Sequence, residues 1–168
     1  MKKIGIIGAG NIGCAIAKGM IKQNVTAPSK LFLSRRRNGL LDEQKKQGLT
    51  VADNHSLVKE CDIVILAVLP AQAKEVIQDL KPLLQKGEKI LVSVVSAVSI
   101  NELKEWSGNQ VAVVRIMPNT AAEYGASMTC IAGEEEQAVE QVKSLFDPLG
   151  NTLVIKEQLM PAATILAA

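Results

Sequence analysis

Three glycines near the N-terminus carry the clearest chemical signal in this 168-residue chain. They follow the apolar run Ile4–Ile7 and open a helical pattern at Asn11–Gln23, which is the spacing and the setting of a dinucleotide-binding fingerprint. The first glycine allows a tight turn, the second lets the backbone approach a pyrophosphate, and the third lets the helix pack on the strand. The N–H groups and dipole of the helix N-terminus attract phosphate oxygens. The residues expected to bind the cofactor here are Gly8, Gly10, Asn11, Ile12 and Gly13. A glycine-rich turn without a ligand is the alternative.

The second strand-like run, Leu31–Ser34, ends in a cluster that bears on the choice of cofactor. NAD-binding units of this type place a carboxylate there to accept hydrogen bonds from the adenosine ribose. Here Ser34 lies 21 positions beyond the last glycine of the fingerprint and is followed by three arginines. Arg35 and Arg36 are the better candidates, and Arg37 is expected to point to solvent. A hydroxyl and guanidinium groups suit a 2′-phosphate, so the pattern predicts NADPH in preference to NADH. A solvated charged turn is the alternative.

Three later segments lie where strands are expected to end, and ligands bind at the carboxyl ends of strands in open α/β sheets. The backbone of Leu66–Gln72 is expected to flank the ribose and nicotinamide of the cofactor, with Pro70 starting a helix. The small residues of Ser93–Ser99 would allow a close approach, and Arg115–Thr120 forms a third turn. Taken singly, each segment also fits an ordinary turn or a helix N-cap.

The chain shows no pattern typical of a catalytic side chain. It has no Ser-His-Asp order, no paired-carboxylate signature and no Cys/His spacing of a metal site. His55 is the single histidine and follows Asn54 at an expected helix start, so we expect it on the surface. We therefore predict no catalytic residue and no metal. Hydride transfer from a nicotinamide needs orientation and exclusion of water more than acid–base catalysis.

Strand-like runs and helical patterns alternate along most of the chain. The expected strands are Ile4–Ile7, Leu31–Ser34, Leu49–Ala52, Ile63–Val68, Ile90–Val95 and Val111–Ile116. The expected helices are Asn11–Gln23, Gly39–Gln47, a segment after Asn54, Ala71–Leu84 and Ile100–Trp106. This rhythm predicts an α/β fold with a doubly wound, mostly parallel sheet of the Rossmann type and right-handed crossovers.

The rhythm changes after Pro118. Ser127–Ala132 and Thr152–Ile155 are expected to be edge strands that flank the amphipathic helix Glu135–Phe146. Residues 158–168 form a helical pattern that is apolar nearly all round, and such a helix must be covered on every side. We therefore expect a dinucleotide-binding domain at 1–156. Residues 157–168 are expected to be the start, cut off, of a helical C-terminal dimerisation domain. A terminal helix packed on the sheet of its own domain is the alternative.

Composition narrows the class of function. The chain is 48% hydrophobic but only 2% aromatic, which indicates a core of aliphatic side chains, as in a parallel sheet covered by helices. A formal net charge of +2 is too small for a general nucleic-acid binder. The three cysteines are far apart and fit buried residues in a reducing compartment, and no run approaches membrane-spanning length. We expect a cytoplasmic protein with neither a nucleic acid nor a membrane as partner.

Taken together and in this order, the motifs resemble those of the pyrroline-5-carboxylate reductases. The resemblance covers essentially the whole chain and is most specific at Arg115-Ile-Met-Pro-Asn-Thr120; the fingerprint, the Ser-Arg turn and Ala67-Val-Leu-Pro70 also belong to it. It implies NADPH-dependent reduction of the cyclic imine 1-pyrroline-5-carboxylate to L-proline, the last step of proline biosynthesis. Hydride would pass from the nicotinamide to the C=N carbon. It also implies a homodimer or higher homo-oligomer.

The resemblance assigns roles to particular residues. At the adenosine end it implies contacts from Ser34, Arg35 and Asn54, the last of which also fits a helix N-cap. Around the ribose and nicotinamide it implies Ala67, Val68, Leu69, Pro70, Ser93 and Ser96. For the substrate it points to Met117, Pro118 and Asn119.

The chain departs from the family pattern at three places. Leu69 stands where the family usually has a lysine, Ala121 stands where it has a proline, and the Ser93–Ser99 turn has fewer glycines. The first departure removes a polar side chain while leaving backbone contacts intact. Two other functions fit the same N-terminal half: an NADPH-dependent dehydrogenase of the hydroxyacid type, and a non-catalytic NADPH-binding sensor domain.

Overall fold

The computed structural model of the protein describes residues 2–36 and 41–167, and within these ranges eight strands pair into one sheet. The strands are β1 (Ile4–Ile7), β2 (Leu31–Ser34), β3 (Thr50–Val51), β4 (Ile63–Leu66), β5 (Ile90–Ser93), β6 (Ala112–Met117), β7 (Ser127–Gly133) and β8 (Gly150–Val154). Arg37 and the expected helix start at Gly39 lie outside the described residues.

The order of the strands creates a crevice beside β1. The sheet runs β3-β2-β1-β4-β5-β6-β7-β8, and every neighbouring pair is parallel except β6 and β7. The chain therefore winds one way from β1 to β3 and the other way from β4 onward, so that β1 marks a topological switch point. In register, Ile7 pairs with both Ser34 and Leu66, which brings the carboxyl ends of three strands level with one another.

Helices cover both faces of the sheet. They are α1 (Asn11–Lys22), α2 (Asp42–Lys46), α3 (Asn54–Glu60), α4 (Pro70–Leu84), α5 (Ile100–Ser107), α6 (Glu136–Phe146) and α7 (Met160–Ala167). One core joins Ile6 of β1 to buried residues of α1 and α6, and the other joins Ile7 to buried residues of α3, α4 and α5. Because successive strand residues point to opposite faces and helices cover both, β1 and β4 are buried along their whole length and carry no polar side chain. The predicted Rossmann-type α/β fold is confirmed.

The C-terminal part differs from the expectation at one strand. We expected Ser127–Ala132 to be an edge strand, but β7 lies between β6 and β8 and pairs with both, so this prediction is wrong. Only β8 of the two lies at the edge. Several residues of β7 alternate between buried and more exposed positions. Such alternation occurs in an edge strand and also in an inner strand whose sheet has one exposed face, so the pattern could not distinguish the two.

The last helix covers part of that open face. Met160 and Ala163 of α7 are buried against Met117 of β6 and Ala132 of β7, while Ile165 is 78% exposed. The helix is thus packed on the sheet along one side only. None of the described helices combines the length and the apolar character that crossing a membrane requires.

Candidate dinucleotide-binding site

A cleft of about 860 Å³ opens at the carboxyl ends of β1, β2 and β4, which is within the range of small-molecule and cofactor sites. It collects most of the residues that the sequence assigned to the cofactor. Those that line it are Gly8, Gly10, Asn11, Ile12, Ser34, Arg35, Arg36, Asn54, Ala67, Val68 and Leu69.

The turn after β1 is held mainly by backbone hydrogen bonds, with one side-chain contact, from Cys14 Sγ to the carbonyl oxygen of Ala9 at 3.3 Å. Gly8 has φ +91°, and a Cβ on it would lie 2.5 Å from the carbonyl oxygen of Ala67. Both the positive φ and this close contact exclude a side chain at this position. The N–H groups of Gly8 and Ala9 both donate to the carbonyl oxygen of Ser34, at 3.1 and 3.0 Å. The turn is therefore joined to the ends of both neighbouring strands.

Gly10 and Gly13 serve different purposes. A Cβ on Gly13 would lie 2.6 Å from the carbonyl oxygen of Gly8, so this glycine is needed for the turn to fold back on α1. A Cβ on Gly10 would meet only that same oxygen, at 3.9 Å, and would otherwise project into open space. Gly10 is the N-cap of α1, and no side chain caps the helix. The open side of Gly10 and the uncapped helix fit a pyrophosphate, because the backbone N–H groups remain available to it.

The β2 side of the cleft is polar. Ser34 is only 2% exposed, and its hydroxyl donates to Asn54 Oδ1 at 2.6 Å, so two residues predicted at the adenosine end are bonded to each other. Arg35 is half-buried and Arg36 is exposed, and both line the cleft. This side therefore presents cationic groups next to a serine–asparagine pair, which is a donor set suited to a phosphate monoester.

Asp53, and not Asn54, caps α3. Its carboxylate accepts from the backbone N–H of Ser56 at 3.0 Å and from the hydroxyl of Ser56 at 2.7 Å. These bonds lower the pKa of Asp53, the backbone bond having the largest effect. The alternative of Asn54 as an N-cap is therefore wrong, and its amide is left to the cleft and to Ser34.

The β4 side of the cleft is mostly apolar. Leu69 precedes α4 and is 68% exposed, and its backbone N–H is 3.4 Å from Gln72 Oε1. Gln72 and Val76 follow Leu69 at helical spacing and line the cleft with it. An apolar wall thus faces the polar one, so a flat ring could lie between them.

The remaining predicted residues do not line the cleft. These are Gly13, Pro70, Ser93, Ser96, Met117, Pro118 and Asn119. Gly13 and Pro70 shape the backbone, Pro70 as the first residue of α4. The buried hydroxyl of Ser93 accepts from the N–H of Val95 at 3.2 Å. Asn119 Oδ1 accepts from the N–H of Ala121 at 3.1 Å. Ligand contacts from these residues stay predictions.

Six residues that line the cleft were not assigned to the cofactor individually: Ile7, Ala52, Asp53, Gln72, Val76 and Thr120, although Gln72 and Thr120 lie inside segments expected near the ligand. Two of them carried a usable signal. Asp53 stands three residues before Ser56 at a helix start, which is an N-cap pattern. Gln72 lies three residues after Leu69, one helical turn along α4.

The histidine and the cysteines lie outside the cleft. The imidazole of His55 is 56% exposed and its Nε2 lies 3.4 Å from Asp79 Oδ2, so the expected surface position is confirmed. The three cysteines are free; Cys61 is buried, whereas Cys14 and Cys130 are half-buried. Burial raises the pKa of the Cys61 thiol to about 12 and also raises the pKa of Cys14 and of Cys130. Such thiols are poor nucleophiles.

The switch-point cleft, the glycine turn and the uncapped helix define a dinucleotide-binding domain of the Rossmann class. The family model described as NADP oxidoreductase, coenzyme F420-dependent, matches residues 3–97, more than half of the chain. The chain therefore belongs to this family of NADP oxidoreductases.

Curated relatives extend the similarity along the chain. It is 36% identical over 172 residues to pyrroline-5-carboxylate reductase of Arabidopsis thaliana, covering 98% of this chain and 61% of that protein. It is 32% identical over 180 residues to pyrroline-5-carboxylate reductase 1 of Dictyostelium discoideum, covering 98% of this chain and 32% of that protein. The chain spans 32% to 62% of the length of the Dictyostelium discoideum and Bacillus subtilis relatives that it matches.

Solved structures agree with the fold. The chain is similar to the crystal structure of Plasmodium falciparum pyrroline carboxylate reductase with NADP bound, with a TM-score of 0.89 and 28% identity over 99% of this chain and 62% of that one. It is also similar to a pyrroline-5-carboxylate reductase from Coxiella burnetii, with a TM-score of 0.91 and 26% identity over 99% of this chain and 64% of that one.

Proposed function

We propose that this chain binds NADPH and that the protein containing it reduces 1-pyrroline-5-carboxylate to L-proline. The observation that carries the proposal is the glycine turn at the switch point, set beside arginines in one cleft. The similarity to relatives named pyrroline-5-carboxylate reductase supports the choice of reaction. So does the similarity to one such reductase solved with NADP.

The pyrophosphate would lie on Gly10, Asn11 and Ile12, where the open side of Gly10 leaves room for it. The adenosine would extend toward Ser34 and Asn54 on the β2 side. The nicotinamide would extend past Ala67 and Val68 toward β5 and β6. When bound, NADPH supplies the hydride that reduces the C=N carbon. The protein then has only to orient the two reactants and keep water away.

A preference for NADPH over NADH is part of the proposal. It is supported by Arg35 and Arg36 lining the cleft beside Ser34. Asp53, the carboxylate on that side, is already engaged by the N–H and hydroxyl of Ser56. A ribose 2′-hydroxyl therefore meets cations in place of the free carboxylate that NAD-binding units offer.

The substrate end belongs to the same proposal. Met117, Pro118 and Asn119 would border the imine, and residues 157–168 would begin a helical domain that completes the pocket in a homodimer or higher homo-oligomer. The packing of Met160 and Ala163 against Met117 supports this, because it brings the C-terminal segment to the end of β6. A cytoplasmic location is proposed on the three free cysteines.

Imine-dependent oxidation of NADPH by the full-length protein tests the reaction. Absorbance of the reduced nicotinamide would fall only when 1-pyrroline-5-carboxylate is present, with one proline formed for each NADPH consumed. Binding of NADPH without consumption would leave the cofactor assignment standing and refute the reaction. A hydroxyacid substrate with NADP⁺ is the matched control, since turnover of that pair would favour a dehydrogenase instead.

A further inference from the structure

We propose that Thr120 contacts the nicotinamide half of the bound cofactor, and that helix α1 positions it there through Gly19. The inference rests on the proposed binding of NADPH. It assigns a ligand contact to a residue outside the glycine turn, and a positioning role to a glycine in the middle of α1.

Thr120 lies at the correct end of the cleft. It is exposed, lines the cleft and begins the short 3₁₀ helix Thr120–Tyr124, three residues beyond the end of β6. In the sheet, β2 and β3 lie on one side of β1, whereas β4, β5 and β6 lie on the other. A dinucleotide whose pyrophosphate lies on α1 and whose adenosine lies toward Ser34 must extend its nicotinamide toward the side of Thr120.

Hydrogen bonds to β7 fix the start of this 3₁₀ helix. The N–H of Asn119 donates to Ser127 Oγ at 3.2 Å, and Asn119 Oδ1 caps the helix by accepting from the N–H of Ala121 at 3.1 Å. The hydroxyls of Ser127 and Thr129 lie 3.1 Å apart and are both buried. The backbone on the N-terminal side of Thr120 is therefore fixed to β7.

Helix α1 holds the same segment from the other side. A Cβ on Gly19 would lie only 2.1 Å from the carbonyl oxygen of Ala122, so the two backbones touch because residue 19 has no side chain. Glu123 adds ion pairs to Lys22 at 3.1 Å and to Lys18 at 3.5 Å. Gly19 thus plays no part in the fingerprint, yet it sets how closely the segment approaches α1.

This arrangement links the two ends of the ligand through one rigid element. Asn11 at the pyrophosphate and Gly19 at the 3₁₀ helix are eight residues apart on α1, about 12 Å along its axis. The position of Thr120 relative to the pyrophosphate is therefore set within the domain. Its hydroxyl can donate and accept, which matches either the carboxamide or the ribose hydroxyls of a nicotinamide riboside.

Calorimetric titration of the 168-residue chain with two ligands tests the inference. NADPH carries the nicotinamide half, and 2′,5′-ADP has only the adenosine half with the 2′-phosphate. Thr120→Val should weaken NADPH binding about 5-fold, as expected for one lost hydrogen bond, and leave 2′,5′-ADP binding unchanged. Thr120→Ser should retain wild-type affinity for both. Unchanged NADPH affinity in Thr120→Val, or an equal loss for both ligands, would overturn the contact.

The positioning role has its own variants. Gly19→Ala should reproduce the selective loss of NADPH affinity, because the 3₁₀ helix must move away from α1. Glu123→Gln, a surface change that carries little risk to folding, should give a smaller loss of about 2-fold in the same direction. Equal affinities of the folded Gly19→Ala and wild-type chains for NADPH, or a Glu123→Gln chain with no selective loss, would overturn the role of α1. Failure of the wild-type chain to bind either ligand would overturn the proposed function and this inference together, whereas a wild-type chain that binds both isolates the inference.

Discussion

The two ends of this molecule's ligand-binding edge are built differently. At the β1 end, backbone groups make the turn: two N–H groups converge on one carbonyl oxygen of Ser34, and glycines provide the space. At the β6 end, side chains hold the elements together. Glu157 Oε1 there accepts from Arg115 at 2.9 Å and from the N–H of Ile100 at 2.7 Å. A site made of backbone tolerates most substitutions except those of its glycines, whereas a site made of side chains depends on particular pairs.

The largest expected effect is a loss of cofactor binding at the β1 end that leaves the fold intact. Gly10→Val should lower NADPH affinity at least about 100-fold, because the new side chain projects into the space where the pyrophosphate would lie. The melting temperature should stay close to that of the wild type, since a Cβ at this position meets little else. Titration and thermal unfolding of the same sample measure both quantities.

Gly8→Ala is the matched comparison for that variant. It should lower the free energy of unfolding by about 3 kcal/mol, because φ is positive and a Cβ would collide with the carbonyl oxygen of Ala67. A Gly10→Val chain that binds NADPH normally would contradict the placement of the pyrophosphate. A fully stable Gly8→Ala chain would contradict the account of the turn.

The next effect in size concerns the β6 end. Arg115→Ala should lower the free energy of unfolding by about 3 kcal/mol, because it leaves the carboxylate of Glu157 without its cationic partner beside a largely buried site. The double variant Arg115→Met with Glu157→Leu should recover most of this loss, since an apolar pair needs no partner. Denaturant unfolding of the wild type, the two single variants and the double variant gives the coupling free energy between the two side chains. Additive losses would show that the two side chains act independently.

A smaller effect tests the cap of α3. Asp53→Ala should lower the melting temperature by about 3 °C at neutral pH, because the N–H of Ser56 loses its acceptor. The bonds from Ser56 lower the pKa of Asp53, so their contribution is complete above the unfolded value of about 3.9 and is lost as pH falls through the lower folded value. The difference in melting temperature between the wild type and Asp53→Ala should therefore become smaller as the pH falls below about 4. A difference that is constant from pH 7 to pH 2 would exclude a role for the charge.

The contrast between the β1 end and the β6 end also explains which features could be predicted from the sequence. The strand–turn–helix unit from Ile4 to Lys22 was predictable to within a residue, because its signals are local: an apolar run, three glycines and a helical period. The expected strands β4 and β5 were each two residues too long, since the apolar residues after them belong to loops: Ala67 and Val68 line the cleft, and Val95 is buried in the core.

Contacts between residues far apart in the sequence could not be predicted. The place of β7 between two strands depends on pairing with residues far along the chain, and no local pattern encodes it. Thr120 entered the prediction only as the end of a motif, because its position in the cleft depends on the contact between Gly19 and Ala122, which are about a hundred residues apart. On the β2 side of the cleft, Ser34, Arg35 and Arg36 could be named from the sequence because Ser34 ends a predicted strand and the arginines follow it directly.

The central claim, that this cleft recognises the 2′-phosphate of NADPH through Arg35 and Arg36, is tested most directly by comparing dissociation constants. Calorimetry would measure NADPH and NADH on the wild-type chain, on Arg35→Gln with Arg36→Gln, and on Lys86→Gln, an exposed cation beyond the far end of α4. The account predicts that the wild type and Lys86→Gln bind NADPH about 30-fold more tightly than NADH, and that the double variant binds the two equally through loss of NADPH affinity alone. Equal binding of both cofactors by the wild type, or an unchanged preference in the double variant, would contradict it.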